Sequence, residues 1–225
     1  MKTFLATLAT LSFIAADKPR ASAPIDLTGY WVAFVSEDWR VRMITPRKGD
    51  YPAVPMTEQA RKVANAWDPA ADEASGNQCK AYGAAAIMRI PARFHITWQD
   101  DDTMRVDSDS GMQTRLFHFN AAPLPKGERT WQGYSAARWQ RPASLKVETT
   151  NLRSGYLRKN GVPYSENATV TEYFDVAPHP NGGQVLLVTT IVDDPQYLQL
   201  PFIVSSQFKK EADGSKWDPT PCTAK

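Results

Sequence analysis

The segment NATVTEYFDV, residues 167–176, alternates as a half-buried β-strand does, with Ala168, Val170, Phe174 and Val176 on its apolar side. Glu172 interrupts that side, and an unpaired carboxylate in an apolar interior is costly. Either it has a cationic partner, or it faces a cavity that uses its charge. The same period of two runs through most of the chain. Phe94, Ile96 and Trp98 share one side of residues 93–99, and 104–109 and 112–119 follow across turn-forming breaks. The stretches 130–139, 144–152, 184–194 and 200–210 continue the series, and near the start 27–35 and 39–44 read as strands around the polar turn Ser36–Trp39. One stretch changes period. Thr57 is a plausible N-cap, and Val63, Ala66 and Trp67 fall on one side, so a helix is expected over 57–67, stopped before Asp68-Pro69. Residues 76–91 read as an ordered loop rich in small side chains, with a short strand or turn near Ile87, and 153–166 as a long loop between strands. The pattern predicts a mainly β fold, an antiparallel meander barrel of about 8–10 strands or a strongly curved sandwich, with one short helix near 57–67.

Met1 and Lys2, an apolar run from Phe4 to Ala16 and the small residues Ala21-Ser22-Ala23 have the form of a signal peptide over 1–23, cleaved after Ala16 or Ala23. The remaining residues, 24–225, then make one barrel domain, periplasmic or secreted. Export permits a disulfide, and the two cysteines, Cys79 and Cys222, are expected to pair. Two cysteines and three scattered histidines offer no metal-site spacing, so no metal and no cofactor are expected. A net charge of +2, with the cations spread among the acids, argues against nucleic acid as a partner. No segment after the leader has the length of a membrane span, and homo-oligomerisation is left open.

A barrel of this size can hold one small ligand, so polar positions among inward-facing residues are candidates for chemistry. Placing each strand's apolar side inward puts Glu172, His118, Thr114, Ser135, Trp131 and Trp139 inside; the opposite parity holds Glu148, Arg115, Tyr134, Tyr173 and His95. Glu172 is a candidate general acid or base, or else the ion-pair partner of Arg115 or Arg138. His118 and His95 are further candidate proton carriers, histidine being the side chain suited to that role near neutral pH. Arg40 and Arg42, on one face of an expected strand opposite Trp39, suit a ligand carboxylate or phenolate. The long loop bearing Tyr156, Arg158, Lys159, Asn160 and Tyr164 is placed to cover a barrel mouth. Glu172, His118 and Tyr164 are thus the catalytic candidates, and Trp39, Arg40, Arg42, His95, Arg115, Trp131, Tyr134 and Glu148 the substrate-binding ones. No nucleophile elbow, phosphate loop, HExxH or dinucleotide fingerprint occurs.

The stretches LTGYW, AWDPAADE, WQGYSAARW, LKVETTNL, TVTEYF and IVDDP, in that order, resemble a large family of exported bacterial small β-barrel proteins, lipocalin-like or allene-oxide-cyclase-like in shape. The likeness covers nearly the whole mature chain, and SEDWRVRM, CKAYGAAAIMRIP and GYLRKNGVPYSENA are similar to a narrower branch of it. No catalytic motif carries over. The resemblance implies an association with aromatic, lignin-derived compounds, and hence a cofactor-free lyase or isomerase, such as a decarboxylase, with a small aromatic ligand in the barrel. The competing expectations are a non-catalytic lipocalin-like binder of a small aromatic or hydrophobic ligand, and an envelope factor whose barrel is packed solid.

Overall fold

The structure, a computed structural model, describes residues 18–120 and 127–225. Most of the expected signal peptide therefore lies outside the described residues. The chain forms strands β1 (Gly29–Phe34), β2 (Arg93–Trp98), β3 (Thr103–Ser108), β4 (Ser110–Gly111), β5 (Gln113–His118), β6 (Tyr134–Gln140) and β7 (Ser144–Thr150). The short strands β8 (Gly155–Arg158) and β9 (Val162–Tyr164) precede the long β10 (Thr169–Pro178), β11 (Gln184–Asp193) and β12 (Phe202–Glu211), and β13 (Thr220–Pro221) ends the series. Three short helices, α1 (Trp39–Arg42), α2 (Glu58–Asn65) and α3 (Pro69–Ala74), fall between β1 and β2. Nine strands close a barrel in the order β1-β12-β11-β10-β7-β6-β5-β3-β2, so the expected mainly β meander barrel is what forms. An odd ring cannot alternate direction throughout. The mismatch is absorbed where β5 runs parallel to β6, with Phe117 opposite Ser135.

The two ends of the barrel are built differently. Around the lower end, where β2 turns into β3, residues 18–22 lie against the barrel: the Trp139 Nε1–H donates to the Pro19 carbonyl at 2.8 Å and the Arg20 N–H to Asp101 O at 3.2 Å. Trp98, Phe119 and Trp139 stack beneath them with ring centroids 5.1–6.4 Å apart. The upper end carries the long insertions. Residues 35–92 leave the top of β1 and return to the top of β2, and 151–168 do the same between β7 and β10. Thr57 caps α2 as expected, its Oγ1 accepting from the Ala60 N–H at 3.2 Å, and Ala60 and Ala64 pack that helix against Tyr164, Val170 and Phe202.

Three local expectations are corrected. Residues 39–42, read as a strand from the alternation of Trp39, Val41 and Met43, form α1 behind Asp38 in a left-handed conformation (φ 52°). The loop 76–91, by contrast, has the turn expected near Ile87, a 3-10 turn over Ile87–Arg89, and a second over Lys80–Tyr82. The long loop after β7 is the β8–β9 hairpin, buried along both strands, so its side chains show no alternation of polarity for a strand to be read from. α3 is also additional to the one expected helix: Asp68, read as a stop, caps it by accepting from the Ala70 and Ala71 N–H groups.

Candidate functional site

Glu172 lies inside the barrel and is fully buried. Arg115 meets it in a two-pronged pair, Nη1–Oε1 3.1 Å and Nη2–Oε2 2.5 Å, and Nη2 also donates to Thr149 Oγ1 at 3.3 Å. Thr149 shares a 2.7 Å hydrogen bond with Ser135, giving a polar layer across the barrel. Trp31, Phe94, Phe117, Phe174 and Phe208, all fully buried, fill the space to one side of it. This interior is occupied by side chains, and the pair is architecture: each charge compensates the other where water cannot.

The parity expected for β5 is reversed. Arg115 and Phe117 point inward, while Thr114 and His118 face out, because Glu172 supplies the countercharge that makes an inward arginine tolerable. His118 stacks on Tyr134 at 4.9 Å outside the barrel, and burial there presses its pKa below the usual histidine value. His95 stacks on Tyr30 at 4.0 Å, and Glu148 pairs with Arg138 and Lys146 on the outer face. Trp131 is in the segment before β6, where Arg153 covers its ring at 4.5 Å. Arg40 is exposed and bound to Asp50 at 2.8 Å, and Trp39 is 63% exposed. Tyr164 is buried among the cap residues; its hydroxyl has no hydrogen-bond partner among the described residues, and burial pushes its pKa well up. The expected catalytic set of Glu172, His118 and Tyr164 is thus distributed over the interior, the outer wall and the cap.

His95 lines a shallow concavity of about 290 Å³ with Tyr30 and Trp217, and Arg42 lines one that holds further buried arginines. Above the upper rim, a cleft of about 250 Å³ is lined by residues 41–45 at the end of α1, by the 3-10 segments over 81–91, by Ser110 and by Leu157, Arg158 and Lys159 of β8 and its turn. Arg42, Arg89 and Arg158 are each less than 9% exposed. Their hydrogen bonds are incomplete. Arg42 donates from Nε to the Arg89 carbonyl at 2.9 Å, Arg89 from Nη2 to Asp38 at 2.8 Å, and Arg158 from Nη1 to the Pro52 carbonyl at 2.8 Å. Arg42 Nη1 and Nη2, Arg89 Nη1 and Arg158 Nε have no hydrogen-bond partner among the described residues, although Arg42 Nη1 stands 3.8 Å from Glu37. Burial and the neighbouring Arg89 charge lower the Arg42 pKa; the same two causes bring Arg158 down to about 10.

Tyr82 and Lys159 form the far wall. The Lys159 ammonium donates to the Tyr82 hydroxyl at 3.1 Å and to Thr223 Oγ1 at 3.0 Å. Burial pushes the Tyr82 phenol up, but hydrogen bonds from Thr223 and Lys159 outweigh it and leave it below the usual tyrosine value. Such an arrangement can seat an oxyanion on the guanidinium nitrogens and offers a tyrosine able to exchange a proton nearby. Among the described residues, no cluster of His, Cys, Asp and Glu is arranged to hold a metal.

Sequence reasoning missed Arg89 and missed the grouping of Arg158 and Lys159 with Arg42. The available signal was an arginine embedded in otherwise apolar runs, in IMRIP and GYLRKNGV. The stretches DWRVRM, KAYGAAAIMRIP and GYLRK, set apart above by resemblance, meet at this cleft. Compared with known proteins, the chain matches no protein-family model and no curated sequence.

Proposed function

We propose that this is an exported protein that binds a small organic anion, with an aromatic or apolar body, in the cap cleft rather than inside the barrel. The observation that carries the reading is the set of buried guanidinium nitrogens, Arg42 Nη1 and Nη2, Arg89 Nη1 and Arg158 Nε, that have no hydrogen-bond acceptor among the described residues, beside the single carboxylates of Glu37 and Asp38. Burying like charges together is unfavourable, and a bound carboxylate or phenolate offsets that cost by accepting several charge-assisted hydrogen bonds at once. Export is supported by the leader-like start and by the Cys79–Cys222 disulfide, and no helix among the described residues is long and apolar enough to cross a membrane. The test is calorimetric titration with benzoate and 3-phenylpropanoate. Saturable binding to the wild type, lost in Arg89→Met with near-ultraviolet circular dichroism unchanged, is the expected result; absence of binding by either acid sinks the reading.

A second reading is favoured by the Tyr82–Lys159 contact: a cofactor-independent lyase or isomerase acting on an aromatic acid held by the arginines. In a decarboxylation the carbon–carboxylate bond breaks and carbon dioxide leaves. The bonding electron pair stays on the substrate carbon, which takes the Tyr82 hydroxyl proton, and water restores that proton. Mass spectrometry of incubated aromatic acids decides it. A product 44 mass units lighter (the mass of carbon dioxide, about 44), formed by the wild type and not by Tyr82→Phe, supports turnover; unchanged acids leave binding alone.

A further inference from the structure

The floor of the cleft is cationic, but its mouth is not. Met43 and Ile44, which line it, are 59% and 66% exposed, and Trp39, on the same turn as Arg42, is 63% exposed. Large apolar side chains at this exposure stand at three of the six residues 39–44, two of them on the cleft lining beside the recessed Arg42. We infer that the ligand is an amphiphile that enters head first: an anionic head on Arg42, Arg89 and Arg158, and an apolar body running out over Met43 and Ile44 toward Trp39. This rests on the cleft being an anion site and narrows its ligand class. A purely polar anion would satisfy the floor and leave the rim in water. The occupant is a free molecule rather than a bilayer, because the donors of the floor are recessed below the surface and only a head detached from its neighbours can reach them.

Chain length is the variable that separates the two kinds of ligand. Each methylene laid on the rim is worth about 0.8 kcal/mol of transfer, or about a fourfold gain in affinity. Calorimetry with butanoate, hexanoate and octanoate, against acetate, succinate and inorganic phosphate, reads that slope directly. The expected result is affinity rising about fifteenfold from butanoate to hexanoate and again to octanoate where both added methylenes lie on the rim, with the slope flattened in the Met43→Ser/Ile44→Ser double variant, whose changes are both at exposed positions. Acetate, too short to lie on the rim, gives the wild-type affinity of the floor alone against which the slope is read. Equal affinity for acetate and octanoate, or an undiminished slope in the double variant, overturns the amphiphile inference while leaving the anion site intact. Loss of all anion binding would instead remove the site itself. Flotation with phosphatidylglycerol vesicles in the absence of octanoate binding would overturn the inference in favour of membrane docking.

Discussion

A buried charge is judged by what its atoms touch, and two arginine systems in this chain give opposite answers. Arg115 has both Nη nitrogens on Glu172, so removing one partner strands the other. Glu172→Gln should therefore cost about 3–5 kcal/mol in urea denaturation while leaving anion binding in the cleft unchanged; a stable variant would contradict the architectural role. Tyr164→Phe should behave in the opposite sense. Its hydroxyl is buried without a partner, so removing it should be neutral or stabilise by up to about 1 kcal/mol. Arg158 supplies a pH prediction. Its guanidinium is held down to about 10, so its charge is complete at neutral pH and is lost as pH rises through that value. Anion affinity should fall above pH 10, and the part of the fall due to Arg158 should be absent from the pH profile of Arg158→Met.

At the level of elements, legibility followed how cleanly burial alternated. β10 was readable because Val170 and Phe174 repeat on one side, and its single discord, Glu172, correctly signalled a buried partner or cavity. α1 was not, since Trp39 and Val41 of the four-residue helix alternate with its C-cap Met43 as a strand's residues would, and only the tertiary setting of the cap decides between them. The β8–β9 hairpin was opaque for another reason: Val162, Pro163 and Tyr164 are all buried, so no polar side announced a strand. The cleft inherits both failures, because its arginines sit on these two elements and on a 3-10 turn. The fit of the hairpin is tight enough to test. A Cβ at Gly155 would stand 2.5 Å from the Lys80 carbonyl oxygen and 2.6 Å from the Tyr164 hydroxyl, and the carbonyl cannot swing aside as a side chain would. Gly155→Ala should cost about 1–3 kcal/mol by thermal unfolding and weaken anion binding by displacing Arg158; a variant as stable and as tight as wild type would show the hairpin free to adjust.

On the scale of the whole molecule, both ends of the described chain are tied to the barrel. Lys18 pairs with Asp101 at 2.5 Å at the lower end; on the proposed reading of an exported protein, a leader cut after Ala16 would keep that contact and one cut after Ala23 would discard it, and intact mass of protein recovered from an exporting host should show Asp17 as the first residue. At the upper end the disulfide binds Cys222 to Cys79 across a sequence separation of 143, and β13 lies parallel to β4 beside it. The next residue, Thr223, meets Tyr82 and Lys159, while the Ala224 N–H donates to Glu73 at 2.8 Å. The bridge thus does two separable things. It removes unfolded-state freedom worth about 4–5 kcal/mol in the chain-entropy model, less any strain, and it holds the tail against one wall of the anion cleft. Cys79→Ser/Cys222→Ser should lower the melting temperature and also weaken anion binding at temperatures where the barrel stays folded. Thr223→Ala, with the disulfide intact, should reproduce only the second effect. If the double serine variant loses stability while binding benzoate as tightly as wild type, the tail is a staple for the fold and has no part in the cleft.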